Sequence, residues 1–205
     1  MTEGGKPHWT NVYETKAVDG VSWFQQTPDL SLSLIKQALP DTGGAILDVG
    51  GGASVLVDSL LDEGYGDITV LDIAEPALKH SQVRLGEKAA DVSWIVADAT
   101  LFETDRRFDL WHDRACFHFL TDEAARERYV ERLKSYLSPG GIAIIASFAK
   151  DGPLKCSGLD IVQYDADLLQ RTLGDVFSLE DEKTEAHETP WGSVQNFAYF
   201  LLRRR

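Results

Sequence analysis

The sequence predicts an α/β fold, a doubly wound sheet of five parallel strands closed by a C-terminal antiparallel hairpin, with helices on both faces. Three observations carry that expectation. Short apolar runs alternate with segments of helical period, the pattern of repeated strand–helix units. The run Ile142 to Phe148 is almost continuously apolar, as a parallel strand covered on both faces must be. The last two strand candidates, Phe177 to Asp181 and Asn196 to Leu202, have no helical pattern between them, so an antiparallel pair fits better than another crossover.

Taken in order, Thr27 and Pro28 offer an N-cap and a first helical position for a helix reaching about Leu39, in which Leu30, Leu34 and Ile35 recur at helical spacing. Ala45 to Val49 forms a short strand that runs into Gly50, Gly51 and Gly52 and then a helix carrying Val55, Leu56, Leu60 and Leu61. Ile68 to Leu71 with a helix from near Pro76 makes a second such unit. Val92 to Val96 supplies a third strand and Phe108 to His112 a fourth. Asp122 and Glu123 favour a helix start through their carboxylates. Ala125, Tyr129, Leu133 and Leu137 then repeat every four residues until Ser138-Pro139-Gly140-Gly141 ends that helix. A last helix is expected near Ala166 to Leu173, and Trp191 and Gly192 fall in a long connection between the hairpin strands. No repeat or linker divides the chain, so a single domain over 1–205 is expected, with 1–40 as an N-terminal helical or lid segment.

Charge narrows the partners. With 33 acidic against 20 basic side chains, the net charge of -13 repels nucleic acid and anionic membrane unless the charges are strongly segregated. The basic cluster Arg203, Arg204 and Arg205 reads as a solvated end. The longest uninterrupted apolar stretch, Ile142 to Ala146, is far below the ~20 residues that span a bilayer. No basic, apolar, small-residue leader is visible, and a cytoplasmic location is expected. Cys116 and Cys156 make neither a disulfide framework nor a four-ligand zinc pattern, so no metal is expected.

The strand-to-helix glycines lie in Asp48-Val49-Gly50-Gly51-Gly52-Ala53-Ser54, where residues without Cβ let a ligand approach the backbone. A tight turn explains such glycines equally well. Asp72 sharpens the reading, because it ends the next strand about 20 residues on, where a doubly wound fold places an acid beside ribose hydroxyls. Asp98 follows the third strand on the same edge. Each acid alone suits a cap or loop; three at successive strand ends are hard to assign to packing. A dinucleotide fingerprint fails at Val55, which stands where a third glycine or alanine belongs, and no Gly-Lys-Ser or Gly-Lys-Thr follows for a P-loop.

These residues resemble the class I S-adenosylmethionine-dependent methyltransferases, from Ile46-Leu47-Asp48-Val49-Gly50-Gly51-Gly52 through Leu71-Asp72-Ile73 and Ala97-Asp98-Ala99 to Leu137-Ser138-Pro139-Gly140-Gly141. The resemblance implies a Rossmann-like sheet ending in a hairpin, and S-adenosylmethionine as cofactor with S-adenosylhomocysteine as product. It further implies that Gly50 and Gly52 approach the methionine part, Asp72 binds ribose, Ile73 packs on adenine, and Asp98 with Ala99 addresses the adenine edge. Two positions depart from the pattern: Ser54 replaces the common third glycine, and Gly51 stands where cysteine is frequent. Asp48 suits an amino group and a sulfonium better than a pyrophosphate.

On the acceptor side, Trp111-His112-Asp113-Arg114-Ala115-Cys116-Phe117-His118-Phe119 follows the fourth strand, and in the resembled family this segment often lies near the transferred methyl. Methyl transfer is an in-line substitution, needing alignment and exclusion of water more than a protein nucleophile. Asp113 and His118, then His112, are the candidates to take a proton from the acceptor. Asp113 and Arg114 as loop-orienting groups, and His118 as a packed ring, are the competing structural readings. Arg114, Cys116 and Cys156 are candidate acceptor contacts, the last within the shaped loop Asp151 to Leu159. Trp9, Tyr13, Trp23 and Phe24 read either as an aromatic lid over donor and acceptor or as simple packing. His187, Thr189, Pro190 and Trp191 would form the opposite wall, or an ordered surface loop. The expected function is methyl transfer to an unidentified small molecule or protein side chain. The alternatives are a non-catalytic nucleotide-binding module and, third, a nicotinamide-dependent oxidoreductase.

Overall fold

A computed structural model describes residues 5–205. The first four residues of the expected 1–40 segment therefore lie outside the described residues. One seven-stranded sheet runs in the order β3-β2-β1-β4-β5-β9-β8. Strands β1 (Ile46–Val49), β2 (Ile68–Asp72), β3 (Val92–Val96), β4 (Phe108–Arg114) and β5 (Leu137–Phe148) pair in parallel. Strands β8 (Phe177–Glu188) and β9 (Val194–Arg204) form the antiparallel hairpin and join the sheet at β5. The predicted five-plus-hairpin sheet is thus the observed one.

The helices are α1 (Gly5–Thr15), α2 (Asp29–Ala38), α3 (Leu56–Asp62), α4 (Glu75–Leu85), α5 (Glu123–Tyr136) and α6 (Ala166–Leu173). Asp122 caps α5 by accepting from the Ala125 amide, and Asp165 caps α6 by accepting from Leu168. The cap expected from Thr27 is not formed: Pro28 is the N-cap, and the Thr27 hydroxyl donates to the Asp29 side chain instead.

Alternation along the strands splits the interior in two. Leu47, Val49, Trp111 and Ile145 face α5 and α6, whereas Ile46, Leu110 and Ile144 face α2 and α3. Trp111 and Tyr129 are wholly buried on the first side, each removing ~1.5–3 kcal/mol worth of apolar surface from water. A third, smaller apolar group sets Trp9 and Val12 of α1 against Ile73, Ala74 and Ala77 beside β2.

Three segments differ from expectation. β8 runs seven residues past the expected end at Asp181, through the largely polar stretch Glu182 to Glu188, because that stretch pairs with β9 from Phe200 back to Val194. The hairpin connection is consequently short, with the Thr189 amide donating to the Ser193 carbonyl at 2.8 Å. The C-terminal arginines are not a loose end: Arg203 pairs with Glu180, Arg204 donates to the Leu137 carbonyl, and the Arg205 amide donates to Val176. Finally, the loop after β5 contains a two-stranded ribbon, β6 (Lys155–Cys156) and β7 (Leu159–Asp160). Ser157 and Gly158 turn it with positive φ at both positions, the geometry that matches strand twist.

Candidate cofactor and acceptor cleft

Strand β1 pairs with β2 on one side and β4 on the other, so chain direction through the sheet reverses there and a crevice opens at the strands' carboxyl ends. The glycine loop enters this crevice. Gly50 has φ +69°, and a Cβ on it would sit 2.9 Å from the Cys116 Cβ. A Cβ on Gly51 would run into the Asp48 carboxylate, and one on Gly52 would come within 3.0 Å of both Asp72 Oδ2 and the Tyr13 hydroxyl. The loop backbone is thus pressed between four of the predicted site residues, Cys116, Asp48, Asp72 and Tyr13.

Asp72, at the end of β2, is 6% exposed and accepts from the Ala74 amide through Oδ1 at 2.8 Å. Burial pushes its carboxyl up to about 7, and the nearby Asp48 charge adds to that against the Ala74 hydrogen bond. Ile73 is buried beside it. Asp98 accepts from the amide and hydroxyl of Thr100 at 2.8 Å, and Ala99 is buried next to it.

The register of β1 and β4 sets Asp48 opposite His112 on the same face. Their side chains meet at 2.7 Å between Asp48 Oδ1 and His112 Nδ1, and Ser31 Oγ of α2 lies 3.0 Å from His112 Nε2. Asp48, His112 and Ser31 line a cavity of about 60 Å³ together with Tyr13, Trp23 and Arg114. An adjoining cavity of about 50 Å³ is lined by Trp9, Asp72, Ile73, Cys116, Phe119 and Cys156 among others, and shares Tyr13, Trp23, Gly50 and Arg114 with the first. The cover is the N-terminal wall: the Tyr13 carbonyl lies 3.0 Å from His80 Nε2 of α4, and His8 Nε2 lies 3.2 Å from Ser157 Oγ of the ribbon.

Two of the three candidate proton acceptors lie elsewhere. Because β4 continues through Arg114, Asp113 follows His112 on the opposite face, away from both cavities. There it is fully buried and accepts from the amides of Cys116 and Phe117 and from the Tyr129 hydroxyl at 2.5 Å. Trp111 Nε1 donates in turn to Tyr129 at 2.8 Å. Asp113 therefore holds the turn in which Ala115 adopts φ +67°. His118 is also fully buried, packed on Phe119 and Phe148, and neither ring nitrogen has a partner among the described residues. Burial holds it neutral, pushing its pKa down to about 3 with the Arg114 charge adding. These placements follow the structural readings for Asp113 and His118.

Arg114 forms a wall of both cavities. Its Nε donates to the Tyr199 hydroxyl at 2.8 Å and Nη1 to the Trp23 carbonyl at 3.1 Å, while Nη2 faces Glu185 at 3.5 Å, with the guanidinium over the Phe197 ring. Burial pushes the Cys156 thiol up to about 12 and the Cys116 thiol well above its usual value, so both are protonated at neutral pH. The expected opposite wall is not formed: His187, Thr189, Pro190 and Trp191 line neither cavity, His187 Nε2 lies 2.7 Å from the Ser22 carbonyl, and Trp191 is exposed. Ser31, Glu185 and Tyr199 are site residues the sequence reading lacks. Nothing in local sequence marks them, since they come from α2 and the hairpin. Among the described residues no cluster of His, Cys, Asp and Glu is placed to share a metal ion, and no helix is long and apolar enough to cross a membrane.

Residues 46–141 match a family model described as a methyltransferase domain. Malonyl-[acyl-carrier protein] O-methyltransferase 2 of Ilyobacter polytropus is 26% identical over 107 residues, covering 52% of this chain and 40% of that protein. The eEF1A lysine and N-terminal methyltransferase of Mus musculus is 26% identical over 209 residues, covering 98% of this chain and 29% of that protein. The chain thus spans less than half the length of these curated relatives. The crystal structure of Burkholderia thailandensis 1,6-didemethyltoxoflavin-N1-methyltransferase, with 1,6-didemethyltoxoflavin and S-adenosylhomocysteine bound, superposes with a TM-score of 0.72 at 19% identity, covering 97% of this chain and 86% of that one. At that identity the likeness is one of fold.

Proposed function

We propose that this chain, whose residues 46–141 match a methyltransferase domain, is a class I S-adenosylmethionine-dependent methyltransferase and transfers a methyl group to a small molecule or a protein side chain in the cleft at the ends of β1 and β4. The observation that carries this reading is the convergence on one crevice of the glycine loop, Asp72 and the Asp48–His112 pair. The donor set suits the nucleoside: Gly50 and Gly51 line the crevice without side chains, and Asp72 beside them is a carboxylate able to accept from ribose hydroxyls.

S-adenosylmethionine supplies an electrophilic methyl on a sulfonium. Asp72 would hold the ribose hydroxyls, Ile73 would pack on the adenine, Asp98 with Ala99 would address its edge, and Gly50 to Gly52 with Asp48 would receive the methionine end. His112 is the proton acceptor or positioning group that faces the cleft. With Nδ1–H donating to Asp48, its Nε2 accepts from the Ser31 hydroxyl 3.0 Å away, in the wall of the first cavity. Trp9, Tyr13 and Trp23 close over donor and acceptor as a lid and exclude water.

Calorimetric titration with S-adenosylmethionine, S-adenosylhomocysteine and NAD tests the reading. Selective binding of the two sulfur nucleosides is expected. Selective binding of NAD, or of none of the three, overturns it.

A further inference from the structure

Among the described residues, Arg114 is the one lysine or arginine that lines either cavity, and it lines both. Its side chain is 10% exposed. A cation so buried is costly unless an anion and hydrogen bonds compensate it. Its close neighbours are neutral: the Tyr199 hydroxyl at 2.8 Å, the Trp23 carbonyl at 3.1 Å and the Phe197 ring. The carboxylate facing it, Glu185, stands off at 3.5 Å and is served at shorter range by others, accepting from the Tyr199 hydroxyl and the Gln25 amide at 2.9 Å each. Glu185 therefore anchors the arginine without saturating it. A guanidinium carries five N–H donors, and three are committed to these protein groups. The others are left for a partner in the cleft. In the first cavity the same wall holds Gly50, Gly51 and Asp48, whose Oδ1 meets His112 while Oδ2 lies against Gly51. One anion and one under-compensated cation beside side-chain-free backbone are the complement of an α-amino acid, which carries its ammonium and carboxylate on a single carbon.

Resting on the methyltransferase reading, we propose that Arg114 binds the α-carboxylate of the methyl donor, and that this contact makes the protein select S-adenosylmethionine over its decarboxylated counterpart. A carboxylate entering a cleft that holds Asp48 and Asp72, in a chain of net charge -13, is repelled unless a local cation receives it. The planar guanidinium offers paired donors that match a carboxylate. The hairpin thus acts on donor choice from a distance, since Glu185 and Tyr199 hold the arginine at the glycine loop.

S-adenosylhomocysteine and decarboxylated S-adenosylhomocysteine are matched probes, identical except for the α-carboxylate. Each is titrated calorimetrically into the unmodified protein, where S-adenosylhomocysteine is expected to bind about 10-fold more tightly, the lower end for a hydrogen bond between charged groups. The double variant Arg114→Gln, Glu185→Gln removes both charges of the pair and keeps the net charge. It is expected to bring the two affinities to parity, with the decarboxylated probe bound as before, which also shows that the cleft is folded. Glu185→Gln alone is expected to retain the preference. Arg114→Lys keeps the charge but not the paired donors, and is expected to reduce the preference several-fold by weakening S-adenosylhomocysteine only; it decides the question if the double variant does not fold. Equal affinity of the two probes for the unmodified protein, a preference that survives loss of Arg114, or equal weakening of both probes overturns the proposal. Survival of the preference would leave Arg114 to an anionic acceptor. Binding of neither probe to the unmodified protein overturns the cofactor reading and this inference with it, whereas equal binding of both overturns this inference alone.

Discussion

Asp48 Oδ1 and His112 Nδ1 stand 2.7 Å apart on neighbouring parallel strands, with 3% and 2% of their residue surface exposed. The pair couples the cofactor edge of the sheet to the group best placed to handle an acceptor proton. A double-mutant cycle of Asp48→Asn and His112→Gln, followed by urea denaturation, is expected to give a coupling of ~0.5–3 kcal/mol. Zero coupling would show that the contact does not operate in solution. With an acceptor in hand, His112→Gln is expected to slow turnover ~100-fold or more while sparing S-adenosylhomocysteine affinity. Unchanged turnover would remove His112 from the reaction.

Asp72 is held at odds with its own solvation. Its folded pKa of about 7 lies above that of an exposed carboxyl, so the native state binds a proton that the unfolded chain has lost. The stability of the ligand-free protein should therefore fall as pH rises from about 4 to 7. Asp72→Asn keeps an oxygen for the Ala74 amide, and is expected to flatten that pH dependence and raise the melting temperature at neutral pH. It should also weaken S-adenosylhomocysteine binding by ~1.5–3 kcal/mol, the range for a charged hydrogen bond. Unchanged affinity in calorimetry would take Asp72 out of the site.

Asp113 and Tyr129 hold the turn after β4. Tyr129→Phe leaves the Trp111 Nε1–H without its acceptor and Asp113 without one donor, an expected loss of ~1–3 kcal/mol. Asp113→Ala strands two amides and the Tyr129 hydroxyl, and should cost at least as much. Thermal or urea unfolding checks both. An Asp113→Ala variant of full stability that has lost only turnover would restore Asp113 as a catalytic group.

His118 distinguishes packing from catalysis cleanly. Its ring is neutral in the fold, with a pKa of about 3, so protonation of the unfolded chain should erode stability as pH falls below about 6.5, most of it gone toward pH 3. His118→Phe removes two unpartnered nitrogens while keeping an aromatic ring against Phe119 and Phe148. It is expected to match or exceed the original melting temperature and to lose the acid sensitivity. A drop of several degrees would indicate that the ring nitrogens have partners in solution.

The sheet and its cofactor edge were legible in the sequence because they depend on local, repeated signals. Apolar runs, caps such as Asp122, and glycines followed by an acid at successive strand ends each leave a mark within a few residues. The two faces of β4 were not legible, since they hinge on whether the strand stops at His112 or continues to Arg114. That extension comes from pairing with β1 and β5. Strand period then sends His112 to the cleft and Asp113 into the core, one residue reversing two roles. The remainder of the site is non-local: Ser31 from α2 meets His112, and Glu185 and Tyr199 from the hairpin meet Arg114, only because the fold brings residues more than 70 positions apart into contact. Local sequence thus determined the elements and the nucleotide motifs, while tertiary packing decided which polar side chains share the cavity and which were spent on holding its walls.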